Sequence, residues 1–447
     1  MNRLDSVKNA WVLGLGASGL AAVKLLRKRG ITVTAADART PEPAVLRTLE
    51  ALGAGFSTGE TGLGEGADLA VASPGIRSDG PWIAGLRARG VPVLAEAELG
   101  WLCRGRARVL AVTGSNGKST LVKLCADALV RAGLRAVPAG NYGLPVCEAV
   151  AQGEWDWLVL ELSTFQLETV EQFRPEIGIL LNLYPNHLDR HGTLEAYAAL
   201  KARLFARQQA GDTALVHESA AALLPGLDCG GGALRLFGTG PDCEYRYAPG
   251  GVERSGRQIV SLLGTTFDNE ILGSAAAAAA AALEAAGAGA GALEAAAAAF
   301  EPLPHRMQRV RELGGVTFVN DSKATNLAAL AAALRMSRPP VRLIAGGLLK
   351  ESDVKGVKDL LAKKCAKVYG IGKTSLFLEK EWGGWVAFED CRVLERAVER
   401  AWQEAKAGET VLLSPGCASF DQFKNFEERG ARFICVVQAL ETEKARP

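Results

Sequence analysis

The run ARVLAVTGSNGKST constrains this chain more than any other stretch. An apolar segment feeds directly into a glycine loop, Thr113 to Thr120, and a helical stretch, Leu121 to Ala132, follows. Strand, tight glycine loop and helix in that order form the repeating unit of parallel α/β architecture. Backbone N–H groups in such a loop can cradle phosphates. Lys118 can neutralise the β and γ oxygens, and the Ser119 hydroxyl can ligate Mg²⁺. Val112 occupies the first glycine position of the longer GxxxxGK[ST] pattern, so this is a shorter TGxxGK[ST] variant.

The same alternation recurs on both sides. Ala10–Leu15 reads as a strand, GLGASG as a turn, Leu20–Arg29 as a helix and Ile31–Ala36 as a second strand ending at Asp37. Further strands are read at Asp68–Gly75, in WDWLVLELS and in IGILLNL. After Pro302 the pairs GVTFVNDS, PVRLIAGG, KVYGIGK and ETVLLSPG repeat the pattern. A length of 447 residues corresponds to about three domains at about 150 residues each. The boundaries are placed at 1–96, 97–301 and 302–447. Residues 218–262 show little pattern beyond Gly and Asp turns, and two long Ala-rich helices are expected after them. The Ala-rich run Ser274–Ala286 holds Glu284 and is short, so a soluble helix is expected there rather than a membrane span.

Several residues have the chemistry for a site. Gly14, Gly16 and Gly19 allow a diphosphate to approach a helix N-terminus, and Asp37, 18 residues beyond Gly19, can accept a sugar hydroxyl. Glu161 ends a strand near the phosphate loop, where a hard carboxylate suits Mg²⁺. In NHLDRHG, His187 is a ligand candidate, and His191 reads as structural. Lys201, on an apolar and basic helix, reads as solvent-facing. Asn320–Asn326, NDSKATN, offers a carboxylate, a lysine and hydroxyls for nucleotide contacts. Lys350 follows a strand end, and Ser414 and Ser419 open a segment suited to holding a carboxylate.

Composition excludes other classes. With 51 Lys plus Arg against 49 Asp plus Glu, the net charge is +2, and a dedicated nucleic-acid binder carries a larger basic excess. The nine cysteines form no CxxC pair. Reduced thiols in a cytoplasm are expected rather than a disulfide framework or thiolate zinc site, and no signal peptide is read at the start.

TGSNGKST, GNYG, ELSTFQLE, HLDRHG, LPHRM, NDSKATN and LLSPGCASFDQF occur in an order that resembles the Mur ligases of peptidoglycan synthesis, on the branch that adds D-glutamate. The resemblance spans essentially the whole chain. It implies an α/β fold of three domains: a Rossmann-like UDP-binding domain, a central P-loop-type ATPase domain and a C-terminal Rossmann-like domain. It also implies a cytoplasmic, monomeric enzyme without nucleic-acid partner or stable membrane insertion. By that resemblance, an acyl phosphate forms from ATP and UDP-N-acetylmuramoyl-L-alanine, and D-glutamate then captures it with release of ADP and phosphate.

The resemblance also distributes roles. Gly14, Gly16, Ser18, Gly19, Asp37, Arg39, Asn141 and His187 would bind the UDP substrate. Gly114, Ser115, Asn116, Gly117, Lys118, Ser119, Thr120, Arg306 and Asp321 would bind ATP, with His305 beside them. Two Mg²⁺ ions would use Ser119, Glu161, His187 and Lys201 as a carbamate. Lys323, Thr325, Lys350, Ser419 and Phe426 would surround D-glutamate, and Lys118, His187, Lys201 and Lys323 would be catalytic. The chain departs from the family pattern where Phe267, Asp268 and Ile271 replace His, Asn and Asn on the adenine side. Asn186, Tyr142, Leu348 and Leu349 are also atypical. Three alternatives stay open: a catalytically impaired homologue that binds the UDP-sugar, a different amino-acid acceptor, and an NAD(P)-dependent oxidoreductase suggested by GLGASG alone.

Overall fold

A computed structural model describes residues 4–59, 63–349 and 353–441. The chain divides into two compact units, Met1–Phe300 and Glu301–Pro447. The first unit holds two sheets. One has five parallel strands in the order Gly55–Thr58, Thr32–Asp37, Asn9–Leu13, Leu69–Ala72, Val93–Ala95. Leu69–Ala72 is buried along its whole length, as expected when helices cover both faces of a parallel sheet. The order reverses at Asn9–Leu13, which opens a crevice at the carboxyl end of that strand. The GLGASG turn lies there, between Asn9–Leu13 and the helix Ala17–Lys28.

The second sheet has nine strands. Arg108–Thr113 lies inside it, between Ile177–Leu180 and Trp157–Glu161, both parallel to it. The central placement follows from sequence, because VLAV and its neighbours WLVL and IGIL are apolar on both faces. Beyond Thr213–His217 the sheet continues through Ala233–Gly238, Tyr245–Ala248, Gly251–Arg254 and Arg257–Ser261. Residues 218–262, read from sequence as poorly patterned, therefore hold four strands, the last three joined as antiparallel hairpins. Charged residues on their half-exposed faces hide the alternation: Arg246 pairs with Glu253, and Arg254 pairs with Glu244 at 3.0 Å and with Glu284 at 2.5 Å.

The helices Glu270–Ala286 and Ala290–Ala298 pack on this sheet. Ala275 to Ala282 are all buried, so the alanine run is a core helix whose small side chains permit close approach to the strands. Among the described residues no helix is long and apolar enough to cross a membrane.

The second unit carries a six-stranded sheet in the order Gln308–Leu313, Val316–Asn320, Thr410–Leu413, Val341–Gly346, Cys365–Ile371, Phe388–Arg392. All pairs are parallel except the first hairpin. The loops carrying Asp321, Gly347 and Ser414 leave the same carboxyl edge. Toward the other edge, Arg342 Nε donates to Glu409 at 2.5 Å and its Nη1 to the Tyr369 hydroxyl at 2.8 Å, while Lys367 reaches Glu389 and Glu404.

Within the first unit, the helix Glu96–Leu102 fastens the two sheets with buried carboxylates. Glu98 accepts the backbone N–H groups of Glu171, Gln172 and Phe173. Glu96 Oε1 accepts the Cys147 N–H at 2.7 Å, whereas its Oε2 is buried with no hydrogen-bond partner. Burial pushes the Glu96 carboxyl up from 4.5 to about 7, against the smaller opposing pull of the Cys147 amide. Between those two values the folded chain holds a proton that the unfolded chain has released. Stability therefore falls as pH rises from about 4.5 to about 7 and stays low above that, a loss of about 3 kcal/mol. Glu96→Gln keeps the acceptor for Cys147 and removes the buried charge. It should raise the thermal midpoint of the first unit at pH 8 and change it little at pH 5, as read by calorimetry at both pH values.

Candidate active site

The glycine turn of the first sheet is built by close packing. A Cβ on Gly19 would lie 1.8 Å from the Gly14 carbonyl oxygen, so only glycine fits there. Ser73 Oγ donates to that same carbonyl at 2.8 Å. Asp37 Oδ2 accepts the Leu15 N–H at 2.8 Å, and Oδ1 accepts the Arg39 N–H at 3.1 Å. The Asp37 carboxylate thus braces the turn itself. Gly16 is exposed, Ser18 half-buried, and Arg39 exposed at the rim.

The phosphate loop joins Arg108–Thr113 to the helix Lys118–Arg131. Gly117, at φ 83°, is the helix N-cap, a conformation that favours glycine. The first intrahelical bond is Leu121 N–H to Gly117 O, so the amides of Lys118, Ser119 and Thr120 lie in the first turn ahead of it. Lys118 Nζ folds back over the loop and donates to the carbonyls of Gly114 at 2.9 Å and Ser115 at 3.1 Å. Ser119 Oγ donates to Glu161 Oε2 at 2.5 Å, and Asn141 Nδ2 donates to Glu161 Oε1 at 2.7 Å. A hydroxyl and a carboxylate in contact at the head of this helix are hard oxygen donors of the kind Mg²⁺ takes. Among the described residues there is no cluster of three His, Cys, Asp or Glu that could hold a metal. Ser119 and Glu161 are the residues that could hold a metal at the head of this helix.

The Ser115 side chain is engaged by neighbouring loops. Its hydroxyl donates to Tyr184 O at 3.0 Å, accepts from Tyr184 N–H at 2.9 Å and lies 3.2 Å from the Tyr197 hydroxyl. Its side chain ties loops together. The N–H groups of Ser115 and Asn116 are engaged by the Asn182 side chain.

Lys201 is buried, only 1% exposed, which overturns the solvent-facing reading of the residue by itself. The helix Leu194–Ala202 carries it, and the side chain reaches the end of Arg108–Thr113. Its Nζ donates to Gly114 O at 2.9 Å and Thr113 Oγ1 at 3.3 Å. Burial, aided by the Lys118 cation, pushes the Lys201 amine well below its usual range.

His187 adopts φ 54° at the start of a short helix, with its ring edge-on to Phe165 at 4.9 Å. His191 lies 3.0 Å from Thr164 Oγ1 through Nε2, and its side chain is 3% exposed. Beside them Arg190 forms a two-pronged pair with Glu168, at 2.9 and 2.6 Å.

In the second unit, Asp321 is buried and accepts Ser414 Oγ at 2.9 Å and the Met307 N–H at 3.1 Å. Burial pushes its carboxyl up to about 7. Lys323 Nζ lies 3.7 Å from the centre of the Phe426 ring. His305, at φ 62°, contacts Asn320 Nδ2 through Nδ1 at 3.0 Å. Arg306 and Thr325 are half-buried and Ser419 is buried. Lys350 lies outside the described residues.

Sequence reasoning missed Arg429. It is 1% exposed and bonds Ser322 through Nε at 2.9 Å and Nη2 at 2.8 Å, and Cys417 O through Nη1 at 3.1 Å. One guanidinium thus joins the loops that hold Lys323 and Ser419. An arginine inside an ordinary-looking helix carries no local signal for this.

The atypical residues near the Ala-rich helices have structural partners. Phe267 is buried against Phe300 at 4.9 Å. Asp268 Oδ1 accepts the Tyr247 hydroxyl at 2.9 Å and the Gly250 N–H at 2.8 Å. Asn269 caps the helix by accepting the N–H groups of Ile271 and Leu272. Leu348 pairs with Ala418 through backbone hydrogen bonds in both directions.

Three family domains match along the chain: a Mur ligase MurD-like N-terminal domain over residues 8–95, a Mur ligase middle domain over 112–224, and a Mur ligase glutamate ligase domain over 305–417. A UDP-N-acetylmuramoylalanine–D-glutamate ligase of Myxococcus xanthus is 40% identical, over 96% of this chain and 98% of that protein. One of the same name from Gloeobacter violaceus is 38% identical over the same shares. The solved structure of a UDP-N-acetylmuramate–alanine ligase from Thermotoga maritima aligns with a TM-score of 0.59 at 16% identity, covering 97% of this chain and 99% of that one, which speaks to fold. The glycine turn thus sits in a Mur ligase N-terminal domain, which removes the basis for the oxidoreductase alternative, and with relatives this similar over nearly its full length the chain belongs to the Mur ligase family.

Proposed function

We propose that this protein is an ATP-dependent, ADP-forming ligase that joins D-glutamate to UDP-N-acetylmuramoyl-L-alanine. The relatives' printed names support this substrate pair. The observation that carries the reading is the phosphate loop, with Lys118 folded over it and Ser119 in contact with Glu161. Residues 1–96 would bind the UDP moiety through the Gly14–Gly19 turn with Asp37 and Arg39. Residues 97–301 would bind ATP, and residues 302–447 would bind D-glutamate through Lys323, Thr325, Lys350, Ser419 and Phe426. Arg306 and Asp321 would add nucleotide contacts.

A carboxylate is a poor acyl donor because its oxygen leaves badly. Its oxygen attacks the γ-phosphoryl group of ATP, the bond to the β-γ bridging oxygen breaks, and ADP departs. The amine of D-glutamate then attacks the acyl carbon, loses a proton and displaces phosphate. Two anions must meet in the first step, so charge compensation and positioning govern the rate. Lys118 supplies a fixed cation beside the loop carbonyls. Asn141 holds Glu161 from the side opposite Ser119. Magnesium, when bound by Ser119 and Glu161 and at a second position by His187 and carbamylated Lys201, supplies further neutralisation of the phosphates.

The state of Lys201 supports its place in that set. Carbamylation needs a neutral amine, which adds CO₂ and releases one proton. Burial beside Lys118 lowers the proton affinity of the amine and so shifts it toward the neutral form that carbamylation requires. The product is an anion, so the same buried spot that disfavours an ammonium gains a carboxylate-like group facing the phosphate loop.

ADP release measured with UDP-N-acetylmuramoyl-L-alanine, with and without D-glutamate, tests the whole reading. Sustained release should require both substrates; binding of the UDP substrate without turnover would mark an impaired homologue, and preference for a competing amino acid would reassign the acceptor. Lys118→Ala should lower ADP formation by at least about a hundredfold while leaving UDP-substrate affinity within a few-fold; near-normal turnover refutes the loop assignment. Lys201→Ala should lose activity and regain part of it with added formate or acetate, which supply the missing carboxylate, in the same assay.

A further inference from the structure

Asn182 stands just beyond the strand Ile177–Leu180 and spends its whole side chain on the phosphate loop. Oδ1 accepts the N–H groups of Ser115 at 3.0 Å and Asn116 at 2.9 Å, and Nδ2 donates to Asn116 O at 3.0 Å. The Asn182 carbonyl also accepts the Ser115 N–H, at 3.1 Å. Two residues on, Tyr184 exchanges hydrogen bonds with the Ser115 hydroxyl through both its N–H and its carbonyl. Residues 182–184 are thus zipped onto 115–116, and His187 follows three residues later.

The loop needs such a brace. It is short, it is flanked by Gly114 and Gly117 in unusual conformations, and it lacks the first glycine position of the longer pattern. Glycine permits its shape without enforcing it. A carboxamide carries an acceptor and a donor on one planar head, so it can hold two N–H groups and a carbonyl at once. Aspartate could replace only the accepting half, and alanine neither.

We propose that Asn182 is a positioning residue, which holds the phosphate loop in its nucleotide-ready shape and ties that loop to the one carrying His187. The inference rests on the reading of this loop as the ATP site. Nucleotide affinity then depends on a side chain that acts through Ser115 and Asn116, while the anion is left to Lys118 and the first-turn amides of its helix.

The full-length protein, Asn182→Ala and Asn182→Asp would be compared by calorimetry with a non-hydrolysable ATP analogue plus Mg²⁺ and, separately, with UDP-N-acetylmuramoyl-L-alanine. Hydrogen exchange would follow residues 114–117. Asn182→Ala should weaken the ATP analogue at least about tenfold, as expected for loss of a hydrogen bond or more. It should leave the UDP substrate within about twofold and speed exchange at Ser115 and Asn116. Asn182→Asp, keeping the acceptor, should restore much of the exchange protection. Unchanged nucleotide affinity in Asn182→Ala overturns the proposal. So does equal weakening of both ligands with a lowered thermal midpoint, which marks a merely structural residue. If the unaltered protein binds the UDP substrate but no nucleotide, the ATP reading itself fails and this inference falls with it.

Discussion

The candidate site of the first unit turns on holding charged and polar groups still at the end of one buried strand. Arg108–Thr113 delivers a short glycine loop, and that loop by itself has no fixed shape. It is held by contacts that converge from other elements: Lys118 onto two loop carbonyls, Lys201 onto Gly114 O, Asn182 onto two loop amides, and Glu161 onto Ser119. Preorganisation of this kind matters because a site that must rearrange to receive a highly charged ligand loses affinity and rate to that rearrangement.

The same region concentrates cations where solvent is scarce. Lys118 and Lys201 approach the same carbonyl, and one of them, Lys201, is fully buried. Two ammonium groups in that space repel one another, and burial penalises a charge on Lys201. A neutral amine, or its conversion to an anion, resolves that conflict. Glu161 is kept in place from two sides, by Asn141 and Ser119, so its carboxylate orientation does not depend on a bound ligand.

In the second unit, the carboxyl edge of a parallel sheet again gathers the polar residues, and a buried arginine supports them. Arg429 bonds two separate loops through three nitrogens, and Asp321 is satisfied by Ser414 and the Met307 amide. In the nine-stranded and six-stranded sheets alike, polar groups gather at strand ends while strand bodies are packed.

Much of this was legible in the residue order, and the limits have physical causes. The alternation of strand and helix, the glycine turn at Gly14–Gly19, the phosphate loop and the family motifs are local patterns, because backbone conformation and phosphate geometry act over a few consecutive residues. The hairpins within 218–262 escaped because their exposed faces are charged and break the apolar alternation. Lys201 looked like a surface lysine because a helix pattern does not report what lies above each face. The acceptance of the Leu15 and Arg39 amides by the Asp37 carboxylate likewise depends on a turn that comes back to the strand end. Asn182 and Arg429 gave no signal, since their partners lie 66 and 107 residues away. Residue order by itself determined the architecture and the chemical inventory. Only the tertiary structure decided which groups are buried together, because desolvation and hydrogen bonding depend on distance in space rather than along the chain.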